Sequence, residues 1–184
     1  HPPPANNNRR RWNADPDRGT PTAMTKVSDS LTVHRASPRN LARVAELFDR
    51  YRVFYGCDPD PNRARAFIAE RFRANDSVIY VAELDGTVVG FVQLLPKLSS
   101  SSMTRDWILN DLYVDDEARR HGAGKALIDE AKAFVKAAAG SKLTLKTHRD
   151  NKPAQQLYTS HGWELDDRFH TFVYRITNTA PGDN

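Results

Sequence analysis

Residues 107–125 read Trp-Ile-Leu-Asn-Asp-Leu-Tyr-Val-Asp-Asp-Glu-Ala-Arg-Arg-His-Gly-Ala-Gly-Lys and run on into Ala126-Leu-Ile-Asp-Glu-Ala-Lys-Ala-Phe-Val-Lys-Ala-Ala-Ala-Gly140. The pattern predicts a strand, a short loop with two glycines, and a long amphipathic helix. Leu127, Ile128, Ala131, Phe134, Val135 and Ala138 recur at helical spacing and form one face. Lys125, Asp129, Glu130, Lys132 and Lys136 take the other. Gly140 is read as the residue that leaves the helix in the left-handed region, where a side chain is penalised. At the other end, the first N–H groups of a helix lack internal partners and carry partial positive charge. Gly122 and Gly124 keep side chains away from those donors, and Arg119, Arg120 and Lys125 add formal charge. Such a loop suits a diphosphate. It is neither a P-loop, because Arg119 and Ala126 stand where Gly and Ser or Thr are required, nor a dinucleotide fingerprint, because Leu127 replaces its third small residue. Taken alone, the glycines fit a plain tight turn equally well.

Outward from this stretch, strands and helices alternate. Leu31–Arg35 reads as a strand, and Ser37-Pro38 opens a helix with Leu41, Val44, Ala45, Phe48 and Tyr51 on its apolar face, ending near Gly56. Asp60-Pro61 opens a second, with Ala64, Phe67, Ile68 and Phe72 inward. Residues 77–84 and 87–95 flank Asp85-Gly86, a hairpin signal. Pro96 is expected to end the second strand, leaving residues 97–102 as a mobile Ser-rich connection. After the long helix, residues 142–148 read as a strand. Asp150 or Asn151 caps a helix that ends at Gly162, and residues 163–166 and 170–176 are expected to pair antiparallel.

Composition bounds the class. The 184 residues are 39% hydrophobic and 27% charged, as expected of one soluble domain, and no run reaches the length of a membrane span. The single cysteine, Cys57, excludes an internal disulfide framework and fits the cytoplasm. The net charge is +4, of which residues 1–23, with four arginines against two aspartates, supply half. The remaining domain is too mildly basic to argue for nucleic acid. Residues 1–23, with little apolar content, are expected to be a disordered tail or a remnant upstream of a start at Met24, and residues 24–184 a single domain. With one cysteine and no His-x3-His pair, no metal site is expected.

Two stretches together carry a resemblance. Arg119-x-x-Gly122-x-Gly124, after a strand ending Leu-Tyr-Val, resembles the acyl-CoA signature of the GNAT superfamily of N-acetyltransferases. Asn151-Lys-Pro-Ala-Gln-Gln-Leu-Tyr158-Thr-Ser-His-Gly162-Trp163 resembles its second signature. The likeness spans about residues 30–176, and the branch it most resembles is the histone and polyamine type. It implies an α/β fold: a mixed, mostly antiparallel sheet in which two parallel strands, the central one and the one after the long helix, splay apart between flanking helices. Acetyl-CoA would lie in that gap as cosubstrate, without metal. It implies contacts from Leu112, Tyr113, Val114, Arg119, Arg120, His121, Gly122, Ala123, Gly124, Lys125, Asn151 and Ala154, with the backbone of Leu112 and Val114 pairing with the pantetheine arm. A homodimer is also implied.

Acetyl transfer to an amine sets demands that particular residues would meet. An amine of pKa ≈ 10.4 must lose its proton, which costs about 4.6 kcal/mol at neutral pH. Asn110 and Asp111 stand where the family supplies a base or a water-orienting group. Alternation along a strand lets only one of them face the cleft. Asn110 cannot itself be a base, although many relatives carry Glu there. Tyr158 is, by resemblance, the acid that protonates the departing thiolate. Residues 51–60 match one wall of the acceptor site. There Tyr51, Tyr55 and Asp58 offer aromatic faces and a carboxylate to an ammonium group, while Asp60 equally serves as a helix cap. The acceptor implied is a primary amine: a polyamine, an amino acid or a lysine side chain of a peptide. The alternative is a catalytically silent acyl-CoA-binding regulatory module.

Overall fold

The computed structural model describes residues 31–174. Its elements run β1 (Leu31–Arg35), α1 (Leu41–Phe54), α2 (Pro61–Ala74), β2 (Val78–Leu84), β3 (Thr87–Ser99), β4 (Thr104–Val114), α3 (Ala123–Ala137), β5 (Leu143–Leu145) and α4 (Lys152–Ser160). The expected tail at residues 1–23 lies outside the described residues. The chain divides into two compact units, between Lys146 and Thr147.

The first unit holds a five-stranded sheet in the order β1-β2-β3-β4-β5. All neighbours are antiparallel except β4 and β5, which run parallel. This is the mixed sheet with one parallel pair that the resemblance implied. The Asp85-Gly86 hairpin forms as expected, with both residues at positive φ. Alternation divides the core. Val44 and Leu47 of α1 and Ile68 of α2 pack on Ile79, Val81, Phe91 and Tyr113. On the opposite face Tyr80 and Trp107 bring their rings within 6.0 and 4.8 Å of Phe134 of α3. Leu127, Ile128 and Ala131 of that helix are fully buried, and each large aliphatic side chain removed from water contributes about 1.5–3 kcal/mol. Glu130, expected on the outer face, is buried instead. Burial, and secondarily the Glu130 charge, push the Tyr80 phenol up to about 12. Phe67, expected inside, stays 43% exposed with its ring stacked 5.2 Å from Phe48.

Several local expectations are corrected. Helix α1 is preceded by a 3-10 turn at Pro38–Asn40, where the Asn40 side chain accepts from the Ser37 backbone at 2.9 Å. Pro96 does not end β3: it pairs with Trp107 inside a strand that reaches Ser99. Strand β2 begins only at Val78, opposite Leu94, so Pro96 sits where β3 has become an edge and its missing N–H costs no ladder bond. The serine run closes a β3–β4 hairpin, with Ser102 bonded to the hydroxyls of Ser99 and Thr104 at 2.6 and 2.7 Å. The left-handed residue after α3 is Ala139, at φ 53°, and not Gly140. Gly140 is required for another reason: a Cβ there would lie 2.8 Å from Val135 Cγ1 and 2.9 Å from Trp107 Cδ1. The expected strand pair at residues 163–176 is absent from its described part, 163–174. Arg168 folds onto both oxygens of Asp166 at 2.8 Å and curls the chain locally, and the alternating apolar residues gain no pairing partner.

The end of β4 is clamped to α1. Asp115 donates its N–H to Val89 O at 2.8 Å, while its carboxylate takes Arg43 at 3.0 Å and Arg50 at 2.6 Å. Arg43 Nε also donates to Val88 O at 2.9 Å. Burial alone would raise the Asp115 carboxyl, but the hydrogen bonds and charges of Arg50 and Arg43 outweigh it and hold the group below its usual 3.8.

Ala139→Gly is expected to raise stability by about 0.5–1 kcal/mol by relieving the left-handed strain, and Gly140→Ala to lower it by about 1–3 kcal/mol through overpacking. Urea midpoints of both variants check this. Asp115→Asn is expected to cost about 1–2 kcal/mol at neutral pH. Because the folded group titrates below 3.8, the stability it contributes is present above that value and lost as pH falls through the lowered one. The gap between wild type and variant should therefore close in acid, measured by denaturation across pH 2.5–7.

Candidate functional site

The central strand carries the geometry that matters. Gln93 pairs with Asp111 and Leu94 with Leu109, so Asn110 is one residue more than β3 can match. This is a β-bulge. It reverses the phase of alternation: Trp107 faces α3, whereas Asp111 and Tyr113, an even number of residues on, face α1. The bulge also brings the two neighbouring side chains together, which regular alternation would keep on opposite faces. Asn110 Nδ2 donates to Asp111 Oδ2 at 2.9 Å, and the Tyr51 hydroxyl of α1 bonds the same carboxyl. Asp111 is 5% exposed, and burial pushes its carboxyl above the usual 3.8, against the smaller opposing effect of those two hydrogen bonds. Asn110 is exposed and Tyr51 half-buried, so the buried acid reaches the surface through them.

The parallel ladder between β4 and β5 stops at Leu109 and Leu145. From Asn110 to Val114, among the described residues, no strand pairs with β4 on that side. A peptide-like arm can add there as a pseudo-strand, using backbone groups rather than side chains. Part of the edge is already engaged, since Val114 O accepts from Arg119 Nε at 3.3 Å.

The glycine loop follows. Arg120 (φ 73°) and Gly122 (φ 82°) are both left-handed, and Gly122 opens α3 without any side chain capping the helix. The first helical bond runs from Ala126 N to Gly122 O. The N–H groups of Ala123, Gly124 and Lys125 thus have no intrahelical acceptor and present the positive end of a 15-residue helix. Ala123 is buried, and His121 donates from Nδ1 to carbonyls of the preceding turn. Arg119 and Lys125 rest on Asp116 and Asp129 in exposed pairs at 2.5 and 2.6 Å. Such pairs are worth only about 0.3–0.5 kcal/mol, so a diphosphate can displace their carboxylates. An uncapped helix start, small residues and exchangeable cations suit the diphosphate of a CoA ester.

On the α1–α2 side, Tyr55 is exposed with its ring 4.9 Å from Tyr51. Asp58 is exposed in the linker. Asp60 is a helix cap, its Oδ1 accepting from Arg63 N at 3.0 Å. Asp49 escaped the sequence reading: it is a buried carboxylate that accepts from Arg52 at 2.7 Å and from Asp60 N at 3.0 Å, and so fixes the linker. A charged residue on a helix carries no sign of burial in the sequence.

In the second unit, Asn151 Oδ1 accepts from Ala154 N at 3.2 Å and caps α4. Tyr158 is half-buried two turns on, its ring 5.7 Å from Trp163. Among the described residues no helix is long and apolar enough to cross a membrane, and no group of three His, Cys, Asp or Glu is placed to hold a metal.

Comparison with known proteins agrees with this construction. The model of the Acetyltransferase (GNAT) family matches residues 41–163. An N-acetyltransferase of Bacillus subtilis (strain 168), YhfO, is 40% identical over 146 residues, covering 79% of this chain and 98% of that protein. A probable acetyltransferase of Haemophilus influenzae is 30% identical over 148 residues, covering 80% and 99%. A crystal structure of a probable acetyltransferase superposes with a TM-score of 0.75 at 37% identity, over 79% of this chain and 98% of that one. The chain therefore belongs to the GNAT family of N-acetyltransferases.

Proposed function

We propose that this acetyltransferase moves the acetyl group of acetyl-CoA directly onto a primary amine, a small molecule or a lysine-bearing peptide, with Asp111 receiving the amine's proton. The observation that carries the reading is the bulge, which sets a buried carboxyl with a raised pKa beside the unpaired edge of β4. Acetyl-CoA supplies the thioester. The chain's part is to hold it and to move protons. The N–H groups at the start of α3, with Arg119, Arg120 and Lys125, bind the diphosphate. The backbone of Leu112 to Val114 holds the arm, and an N–H near Leu112 steadies charge on the thioester oxygen. Asn151, its Oδ1 committed to the cap, offers Nδ2 to the same arm.

A carboxyl raised toward the working pH is a stronger base than an ordinary Asp, which suits proton removal from an amine. Asn110 orients the carboxyl or a bridging water. The Tyr158 hydroxyl delivers a proton to the thiolate as it leaves. The family match spans residues on both sides of Lys146, which supports reading residues 24–184 as one acetyltransferase domain. A cytoplasmic homodimer completes the reading.

CoA thiol release with a panel of amines should show turnover, and Tyr158→Phe should lower kcat at saturating substrate by about 100-fold. A variant within twofold of wild type would remove Tyr158 from its role. Asp111→Asn should lower kcat/KM by about 100-fold or more and abolish the acidic limb of its pH profile, a limb that stands above pH 3.8 in wild type. Stability moves the other way. The fold favours the neutral Asp111 carboxyl, so its contribution is full below 3.8 and lost as pH rises through the raised value. Relative to wild type, Asp111→Asn should therefore melt higher at pH 7 than at pH 3.5.

A further inference from the structure

Five aromatic rings lead away from Asp111 in a continuous run. Tyr51, bonded to the Asp111 carboxyl, lies 4.9 Å from Tyr55, and Tyr55 lies 5.3 Å from Phe54. In the other direction Phe48 lies 6.3 Å from Tyr51 and 5.2 Å from Phe67. The ends of the run are open to water: Phe54 is 56% exposed, Tyr55 45% and Phe67 43%. Single exposed apolar residues need no explanation, but a contiguous aromatic patch rimmed by polar groups marks a binding surface.

The charges around these rings are the second observation. A polyamine needs a second anion at a distance from the reacting nitrogen, and most of the acids near these rings are already engaged. Asp49 is held by Arg52 and the Asp60 N–H, Asp60 by the Arg63 N–H, and Glu46 by Arg43 and Arg50 at 2.9 and 2.6 Å. Asp58, exposed between α1 and α2, is then a single carboxylate set against seven arginines on the two helices. Arginines dominate both helices, so a second ammonium would meet like charge.

We propose that the ring run from Tyr51 to Phe54 selects a monoamine with an aromatic body, its nitrogen at Asp111 and its ring on Tyr55 and Phe54, in preference to a polyamine. The inference rests on the acceptor reading above, in which Asp111 meets the amine. Aromatic pairs contribute beyond the area they bury, and a hydrophobic pocket discriminates by roughly tenfold or more for a missing apolar group.

The test measures kcat/KM by CoA thiol release for phenethylamine, n-butylamine, putrescine and spermidine at equal concentrations of free base. Phenethylamine should exceed both putrescine and n-butylamine by about tenfold or more. Phe54→Ala should cut the ratio of phenethylamine to n-butylamine by about tenfold, and Phe54→Tyr should restore it. Phe54 is exposed, so its loss leaves the fold intact, and a circular dichroism melt verifies that. Preference for spermidine or putrescine overturns the inference, as does an unchanged ratio in Phe54→Ala. A Phe54→Ala variant that changes only the oligomeric state also overturns it, since the rings would then serve a second copy. Failure of the wild type with every amine overturns the acetyl-transfer reading beneath it.

Discussion

One extra residue in the central strand shapes everything near it. At Asn110 β4 has a residue that β3 cannot pair, and the strand's alternation reverses there. Before that point Trp107 packs against α3, and after it Asp111 and Tyr113 turn toward α1. The local distortion places two neighbouring polar side chains in contact at 2.9 Å, which a regular strand forbids. One residue earlier, at Leu109, the parallel ladder to β5 ends. The unpaired edge and the buried carboxyl thus arise at the same place. The proposed chemistry needs both.

Charge then fixes what the sheet leaves open. The half-buried pairs of Asp115 with Arg43 and Arg50 tie the end of β4 to α1 and set where the glycine loop begins. The exposed pairs of Arg119 and Lys125 lie next in the chain and are weakly held. Burial separates the two kinds. A partly desolvated pair resists exchange and positions the backbone, while a solvated one releases its cation to a better anion. Helix α1 is thus anchored near its start to the loop proposed for the diphosphate, and near its end, through Tyr51, to Asp111.

The uncapped start of α3 completes the division of labour. Gly122 at φ 82° turns the chain without covering the N–H groups behind it. A Ser or Asp cap would satisfy those donors internally and stabilise the helix by about 1 kcal/mol. The helix forgoes that contribution and keeps its donors available. Asn151 does the opposite at α4, where a side-chain cap closes the helix end.

By itself the sequence determined the element order, the two signature stretches, the glycine loop and the family, because periodicity, glycine placement and capping residues act over a few neighbours. It identified Asp111, Asn110 and Tyr51 one at a time. Only the tertiary structure decided that they touch, since a bulge follows from how β3 and β4 register and alternation along one strand gives no sign of it. The same limit explains Glu130, whose charge suggested solvent, and Asp49, which went unnoticed; the burial of both depends on distant neighbours. It explains Pro96, tolerated because β2 happens to begin opposite Leu94. It explains residues 163–174, where an alternating pattern gave strand character but no described strand came to pair with it. Local propensity is written in adjacent residues. Pairing, burial and the pKa values that follow from them belong to contacts between segments far apart in the chain.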